Sequence, residues 1–205
     1  MNNLPEEKQL KNTIFEDEDP FQGKKRIENF APEFRTFIYE KYKHHYSPEE
    51  ILGYIYAVLH SPTYRSRYAE FLKIDFPRIP FVDNKKEFEK LSRLGWDLVQ
   101  AHLLKSVSAT SKVEFPKKGS DEVEKPTYDA NAQKLFINKD QFFTPVPEDV
   151  WNFHIGGYQV LDKYLKSRKG RTLSLDEKEN IQNVVKVLAF TIEKMQEIDK
   201  VFKCP

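Results

Sequence analysis

Lys163, Lys166, Arg168, Lys169 and Arg171 fall within nine residues, around Gly170, in a stretch that contains no acidic side chain. Cations gathered this closely can hold a polyanion by its phosphates, through charge alone and with no base preference. Placed where a helix ends at glycine, the same side chains also neutralise the negative end of that helix, so a solvated cap is the competing reading. Lys112, Lys117 and Lys118 supply further cations on a preceding piece rich in β-forming residues. Asn131 and Gln133 lie near a predicted hairpin tip, and carboxamides there can bond the edge of adenine in the major groove. His154 and Tyr158 flank Gly156-Gly157 and complete the set nearest the bases. Tyr158 has the alternative of a core residue capping the glycine turn. The expected division of labour is phosphate contact by Lys112, Lys117, Lys118, Lys163, Lys166, Arg168, Lys169 and Arg171, and base contact by Asn131, Gln133, His154 and Tyr158.

Bond-making chemistry has no such signature. The chain carries no glycine-rich phosphate loop, no nucleophile elbow and no HExxH pair. Glu87-Phe88-Glu89-Lys90 and Glu122-Val123-Glu124-Lys125 contain the Glu-x-Lys tripeptide that some nucleases use beside magnesium. Their upstream partners, Asp83 and Asp121, stand too close in sequence for a strand–turn–strand metal site, and a chain that is 32% charged produces such tripeptides by chance. His44, His45, His60 and His102 fall at helix ends or beside an apolar stripe, where a structural role is expected. We therefore expect no catalytic residue and no metal ligand.

Composition bounds the alternatives. At 205 residues, with 39% hydrophobic and 14% aromatic side chains, the chain can bury a real core rather than stay disordered. The net charge of +1 excludes a uniformly basic coat, so a nucleic-acid surface must be local. Cys204 is the one cysteine, which rules out a disulfide framework within the chain and suits a reducing cytoplasm. The polar start MNNLPEEKQLKN does not resemble a signal peptide, and no apolar run approaches membrane-spanning length.

The elements that must position these residues read as an α+β protein: a mostly helical body, a small antiparallel β insert and a long C-terminal helix. An extended lead-in covers 1–30, a helical portion 31–106, a β-rich insert 107–155 and a helical support 156–205. Pro32 opens the first helix, and Ser47-Pro48-Glu49-Glu50 combines a capping hydroxyl, a first-turn proline and acids at the positive dipole end. Ser61-Pro62 launches a helix through TYRSRYAEFLK, and a third long helix is expected over 84–105. Asp129-Ala130-Asn131-Ala132 is the expected hairpin tip, and 151–155 reads as a further strand. Ser174 caps a last helix with Ile181, Val185, Leu188, Ile192 and Met195 as its buried stripe, long enough at ~40 Å to brace the whole body.

Two segments, YSPEEILGYIYAVLHSPTYRSRYAEFLKIDFPRIPF at 46–81 and VPEDVWNFHIGGYQVLDKYLKSRKGRTLSLDEKENIQNVVKVLAFTIEKMQEID at 146–199, resemble the C-terminal specificity region of type ISP restriction–modification enzymes and related adenine-specific DNA methyltransferases. Residues 82–145 resemble that region only as a variable insert. The resemblance implies a target-recognition module that reads a short asymmetric duplex DNA site for an attached methyltransferase and translocating nuclease. The adenine methyltransferase Asn/Asp-Pro-Pro-Tyr motif is absent here, as are motor and nuclease motifs. S-adenosylmethionine, ATP and magnesium are accordingly expected only in a parent enzyme, and the implied partners are duplex DNA and a methyltransferase domain. The alternative is a scaffold that docks onto a methyltransferase or other subunit, supported by the aromatic side chains of 30–46.

Overall fold

The computed structural model describes residues 28–106 and 112–204. Five helices lead: α1 (Pro32–Tyr42), α2 (Pro48–His60), α3 (Pro62–Arg67), α4 (Phe71–Ile74) and α5 (Lys85–His102). A small β region follows, with β1 (Thr127–Asp129), β2 (Lys134–Phe136) and β3 (Phe142–Phe143). After it come α6 (Glu148–Trp151), the strand pair β4 (His154–Ile155) and β5 (Tyr158–Gln159), α7 (Val160–Lys166) and α8 (Leu175–Val201). The expected α+β class is what forms. Residues 1–27, most of the expected lead-in, lie outside the described residues.

Helix starts follow the capping chemistry. Ser47 Oγ accepts from the Glu50 amide while the Glu50 carboxylate accepts from the Ser47 amide at 2.7 Å, and Ser174 and Glu177 repeat this reciprocal pair at the start of α8. Ser61 Oγ caps α3 and donates to Asp199 near the far end of α8, a link spanning 138 positions of sequence.

Two expectations need correction. The helix through 62–73 breaks at Tyr68 into α3 and the four-residue α4. Tyr64 is buried and its hydroxyl donates to the Arg78 carbonyl, whereas Phe71 and Ile74 find no core to enter and stay exposed, so packing overrides the local pattern. The strand over 151–155 shrinks to β4, because Pro147 followed by Glu148 and Asp149 starts the short helix α6 instead.

Two cores form, and α8 belongs to both. Phe88, Tyr54, Ile51, Leu91 and Leu98 lead the first, to which α8 contributes Ile198; Phe202 just beyond it joins them. Leu135, Ile137, Phe143, Leu161 and Leu165 lead the second, to which α8 contributes Ile181, Val185 and Leu188. At 27 residues and 1.5 Å per residue α8 is about 40 Å long, which lets one rigid rod tie the cores together. In the first core α2 and α5 cross at Gly53 and Gly95. A β-carbon at Gly95 would sit 1.8 Å from the Gly53 carbonyl oxygen, so only hydrogen fits.

The aromatic residues of 30–46 are mostly absorbed by this core. Tyr42 and Tyr46 are buried against Phe88, with ring centroids 4.5 and 4.6 Å away, and Phe34 packs on Phe30 and Phe81. Hydroxyls of Tyr42, Tyr54 and Tyr64 donate to the carbonyls of Val82, Pro80 and Arg78, pinning the proline-rich connector that leads into α5.

His102 closes α5 in a short polar chain. Its Nδ1 accepts from the Tyr56 hydroxyl at 2.7 Å, and its Nε2–H donates to Thr191 Oγ1 at 2.9 Å, because the Thr191 hydroxyl is already spent on the Val187 carbonyl. That tautomer is assigned from its partners. Burial first, and then the neighbouring His60, pull the His102 pKa down to about 4. The neutral ring is therefore the folded form, and an unfolded chain binds the extra proton below its ordinary pKa of 6.5. Stability is complete above that value and drains away as pH falls towards 4. After discounting for solvent beside the half-exposed ring, the loss is about 1 kcal/mol. Thermal melts of His102→Asn should depend less on pH between those limits than melts of the parent; parallel curves would remove His102 as the cause.

Candidate nucleic-acid interface

The β region sets out the residues singled out from the sequence. β1 and β2 pair antiparallel with Thr127 opposite Phe136 and Asp129 opposite Lys134, so the turn between them carries Asn131 and Gln133, both exposed. Asp129 Oδ1 accepts the Ala132 amide, and Gln133 adopts φ +50°, which fixes the tip as a shaped turn. Its rear is anchored: the Gln133 carbonyl accepts from Val146 N at 2.9 Å, and Tyr128 stacks on Trp151 with centroids 5.2 Å apart.

Trp151 is also the footing of the second strand pair. Gln159 Nε2 donates to the Trp151 carbonyl, and His154 pairs with Gln159, Ile155 with Tyr158. Gly156 turns the chain at φ +58°, and neither it nor Gly157 has a neighbouring atom within 4 Å of where a β-carbon would stand. The space around the two glycines is thus open. Ile155 and Tyr158 are 63% and 60% exposed, so Tyr158 is not a core residue. Instead Lys163, one turn into α7, places its ammonium 3.1 Å from the Tyr158 ring centroid. His154 is exposed, with Nδ1 bonded to the Asn152 carbonyl at 2.6 Å. Asn131, Gln133, His154 and Tyr158 therefore share one support, although 20 or more residues separate the two pairs in sequence.

The basic residues divide into two kinds. Lys112 pairs with Glu114 at 2.6 Å and Lys166 with Asp162 at 2.7 Å. Arg168 and Arg171 share the single carboxylate of Glu177, at 3.0 and 3.1 Å, and the Arg168 guanidinium also covers the Tyr164 ring. The Ser174 amide, and then the two guanidiniums, hold the Glu177 carboxyl below the usual carboxylate range, so it stays charged. These arginines bind the loop to the start of α8, and one positive charge remains over. Lys117, Lys118, Lys163 and Lys169 are exposed and have no carboxylate partner among the described residues.

Backbone pairing brings the separate basic segments together. Val123 N donates to the Arg171 carbonyl, Gly170 N to that of Val123 and Leu173 N to that of Asp121, so 121–123 lies along 170–173. The chain carrying Lys117 and Lys118 thereby enters the same small assembly as the 168–171 loop. Lys134 and Ile155 were not singled out from the sequence. Lys134 lies 4.4 Å over the Phe142 ring, and Ile155 is recognisable in retrospect as an apolar residue beside a glycine pair.

Among the described residues no group of His, Cys, Asp and Glu could hold a metal ion, and no helix is long and apolar enough to cross a membrane. What the arrangement offers is two exposed turns tied through Trp151, one bearing Asn131 and Gln133 and the other His154, Ile155 and Tyr158, together with ammonium groups that have no carboxylate partner among the described residues.

Solved structures share this fold. A DrdV–DNA complex determined by cryo-electron microscopy superposes with a TM-score of 0.62 at 20% identity, over 84% of this chain and 20% of that one. The ATP-dependent type ISP restriction–modification enzyme LlaBIII bound to DNA gives 0.57 at 20% identity, over 83% and 12%. A nuclease-deletion mutant of the type ISP enzyme LlaGI with a DNA substrate mimic gives 0.54 at 22% identity, over 78% and 14%. The chain thus spans a fifth or less of the length of these proteins. No curated protein matches the sequence. Residues 3–198 match the type ISP C-terminal specificity domain, and the chain belongs to that family.

Proposed function

We propose that this chain reads a short duplex DNA site as the specificity module of a type ISP restriction–modification polypeptide whose methyltransferase modifies adenine. The observation that carries the reading is the family match over 3–198, in a fold shared with enzymes solved on DNA. Lys117, Lys118, Lys163 and Lys169 hold phosphates and set the register. Asn131 and Gln133, with His154 and Tyr158, face base edges. The chain supplies no catalytic group. S-adenosylmethionine, ATP and magnesium belong to the remainder of such an enzyme, which flips the adenine while this module helps hold the distorted duplex in the cytoplasm.

Replacing Asn131 or Gln133 by alanine should change which site is selected from a randomised duplex library, costing about 1–3 kcal/mol at the base contacted and leaving the salt slope unaltered. An unaltered site preference in both variants would place base reading elsewhere.

A second reading has its own support. Phe71, Ile74 and Phe76 are 66%, 81% and 89% exposed around α4, a patch that suits docking onto another domain of the same polypeptide. The patch borders the second strand pair, since Leu72 of α4 and Ile155 line one cavity.

A further inference from the structure

Gln141 is 1% exposed and has every hydrogen-bonding position of its carboxamide filled. Oε1 accepts from the Asp121 amide at 2.8 Å and from Asn138 Nδ2 at 3.0 Å. Nε2 donates to the Lys117 carbonyl at 3.1 Å and to Asp121 Oδ1 at 2.6 Å. The loop Lys117-Lys118-Gly119-Ser120-Asp121 is thus fastened at both ends to one buried side chain. Gly119 lies flat on the same amide: a β-carbon there would come within 2.7 Å of Gln141 Cδ.

Outside this contact the loop is held just as firmly. Asp121 takes φ +57° and bonds Lys178 of α8 at 2.7 Å, while its carbonyl accepts the Leu173 amide. The Asn138 side chain accepts the Gln141 amide and donates to the Glu122 carbonyl, fixing Gln141 in turn. A buried, fully satisfied amide network specifies one geometry, because every alternative leaves desolvated donors and acceptors unpaired. The side chains that this geometry presents to solvent are Lys117 and Lys118, which have no carboxylate partner among the described residues.

We propose that Gln141 is a positioning residue for DNA binding: it holds the 117–121 loop so that Lys117 and Lys118 meet duplex phosphates in a preformed arrangement. This rests on the duplex-reading function proposed above. Preformed contacts avoid the ordering cost that a mobile loop meets on binding, so loosening the loop should weaken binding even with both lysines intact.

The test is a coupling cycle on the full chain with a short random-sequence duplex at low salt. Gln141→Met removes the amide at similar volume, and Gly119→Ala pushes the loop off an intact amide should the first variant fail to fold. Each is expected to weaken binding by about five- to tenfold, and by less than about twofold when Lys117→Gln and Lys118→Gln are already present. Equal losses in both backgrounds would show a general structural role and overturn the assignment. If the paired lysine substitutions lower the salt slope by about 2 while Gln141→Met and Gly119→Ala bind normally, positioning fails and DNA reading survives. A parent chain that binds no duplex sinks the DNA reading, and this inference with it.

Discussion

Gly95→Val should cost the fold about 3 kcal/mol or more, enough to unfold a large share of the molecules at moderate temperature. A β-carbon at this site meets the Gly53 carbonyl oxygen at 1.8 Å and the Ala57 amide nitrogen at 2.7 Å, both backbone atoms of α2. Neither can rotate away as a side-chain tip would. From the other side, a β-carbon at Gly53 would meet the Ser92 carbonyl oxygen at 2.3 Å. The helices would have to separate by roughly 1.5 Å along their whole contact, opening the layer of Tyr54, Phe88 and Leu91 to voids. Gly95→Ala should also destabilise, since the gain of about 1 kcal/mol from helix propensity cannot offset a backbone collision. Gly157→Ala is the control: nothing lies within 4 Å of its β-carbon position, and the change should stay within about 0.5 kcal/mol. Urea denaturation of the three variants settles the comparison. A Gly95→Val chain as stable as the parent would mean that α2 and α5 do not cross at these glycines.

Replacing Lys117, Lys118, Lys163 and Lys169 together by glutamine should lower affinity for duplex DNA on the order of 100-fold near 0.1 M salt and flatten the salt slope by about 3 to 4. The matched set Lys112, Lys166, Arg168 and Arg171→Gln removes as many charges, yet should flatten the slope by only about 1. Lys112, Lys166 and the two arginines already face Glu114, Asp162 and Glu177, and two guanidiniums on one carboxylate leave a single charge over. The second set should instead cost stability, because Arg168 and Arg171 fasten the loop to the first turn of α8. Equal slopes for the two sets, with both chains folded, would show that these ion pairs open on binding and do not sort the cations.

Much of the framework was legible in the letters. Ser47 with Glu50 and Ser174 with Glu177 declare helix starts because both partners of a reciprocal cap lie three residues apart. The Asp129–Ala132 tip is equally local, resting on one carboxylate that accepts an amide three residues on. Failures arose where competition was decided by distant residues. Trp151 and Phe153 read as strand, but Pro147, Glu148 and Asp149 start a helix there. The break at Tyr68 follows from Tyr64 reaching the Arg78 carbonyl, which no spacing within 62–73 reveals.

The interface divides in the same way. A cluster of five cations is visible in any reading of 163–171, but which of them stays free depends on Glu177 and Asp162, and only coordinates pair them. The shared footing of Asn131 and Tyr158 on Trp151 and Val146 is likewise a product of folding. Gln141 gave no signal at all, since a single glutamine in a turn looks the same whether it is buried or solvated.

Titrating the full chain against a randomised duplex library, at about 50 mM and about 200 mM salt, tests the central claim most directly. We expect one short asymmetric sequence to be enriched, and its affinity to fall by at least tenfold between those salt concentrations. Absence of any retained duplex at the lower salt, or retention with no sequence enriched, would contradict a site-reading role for this chain.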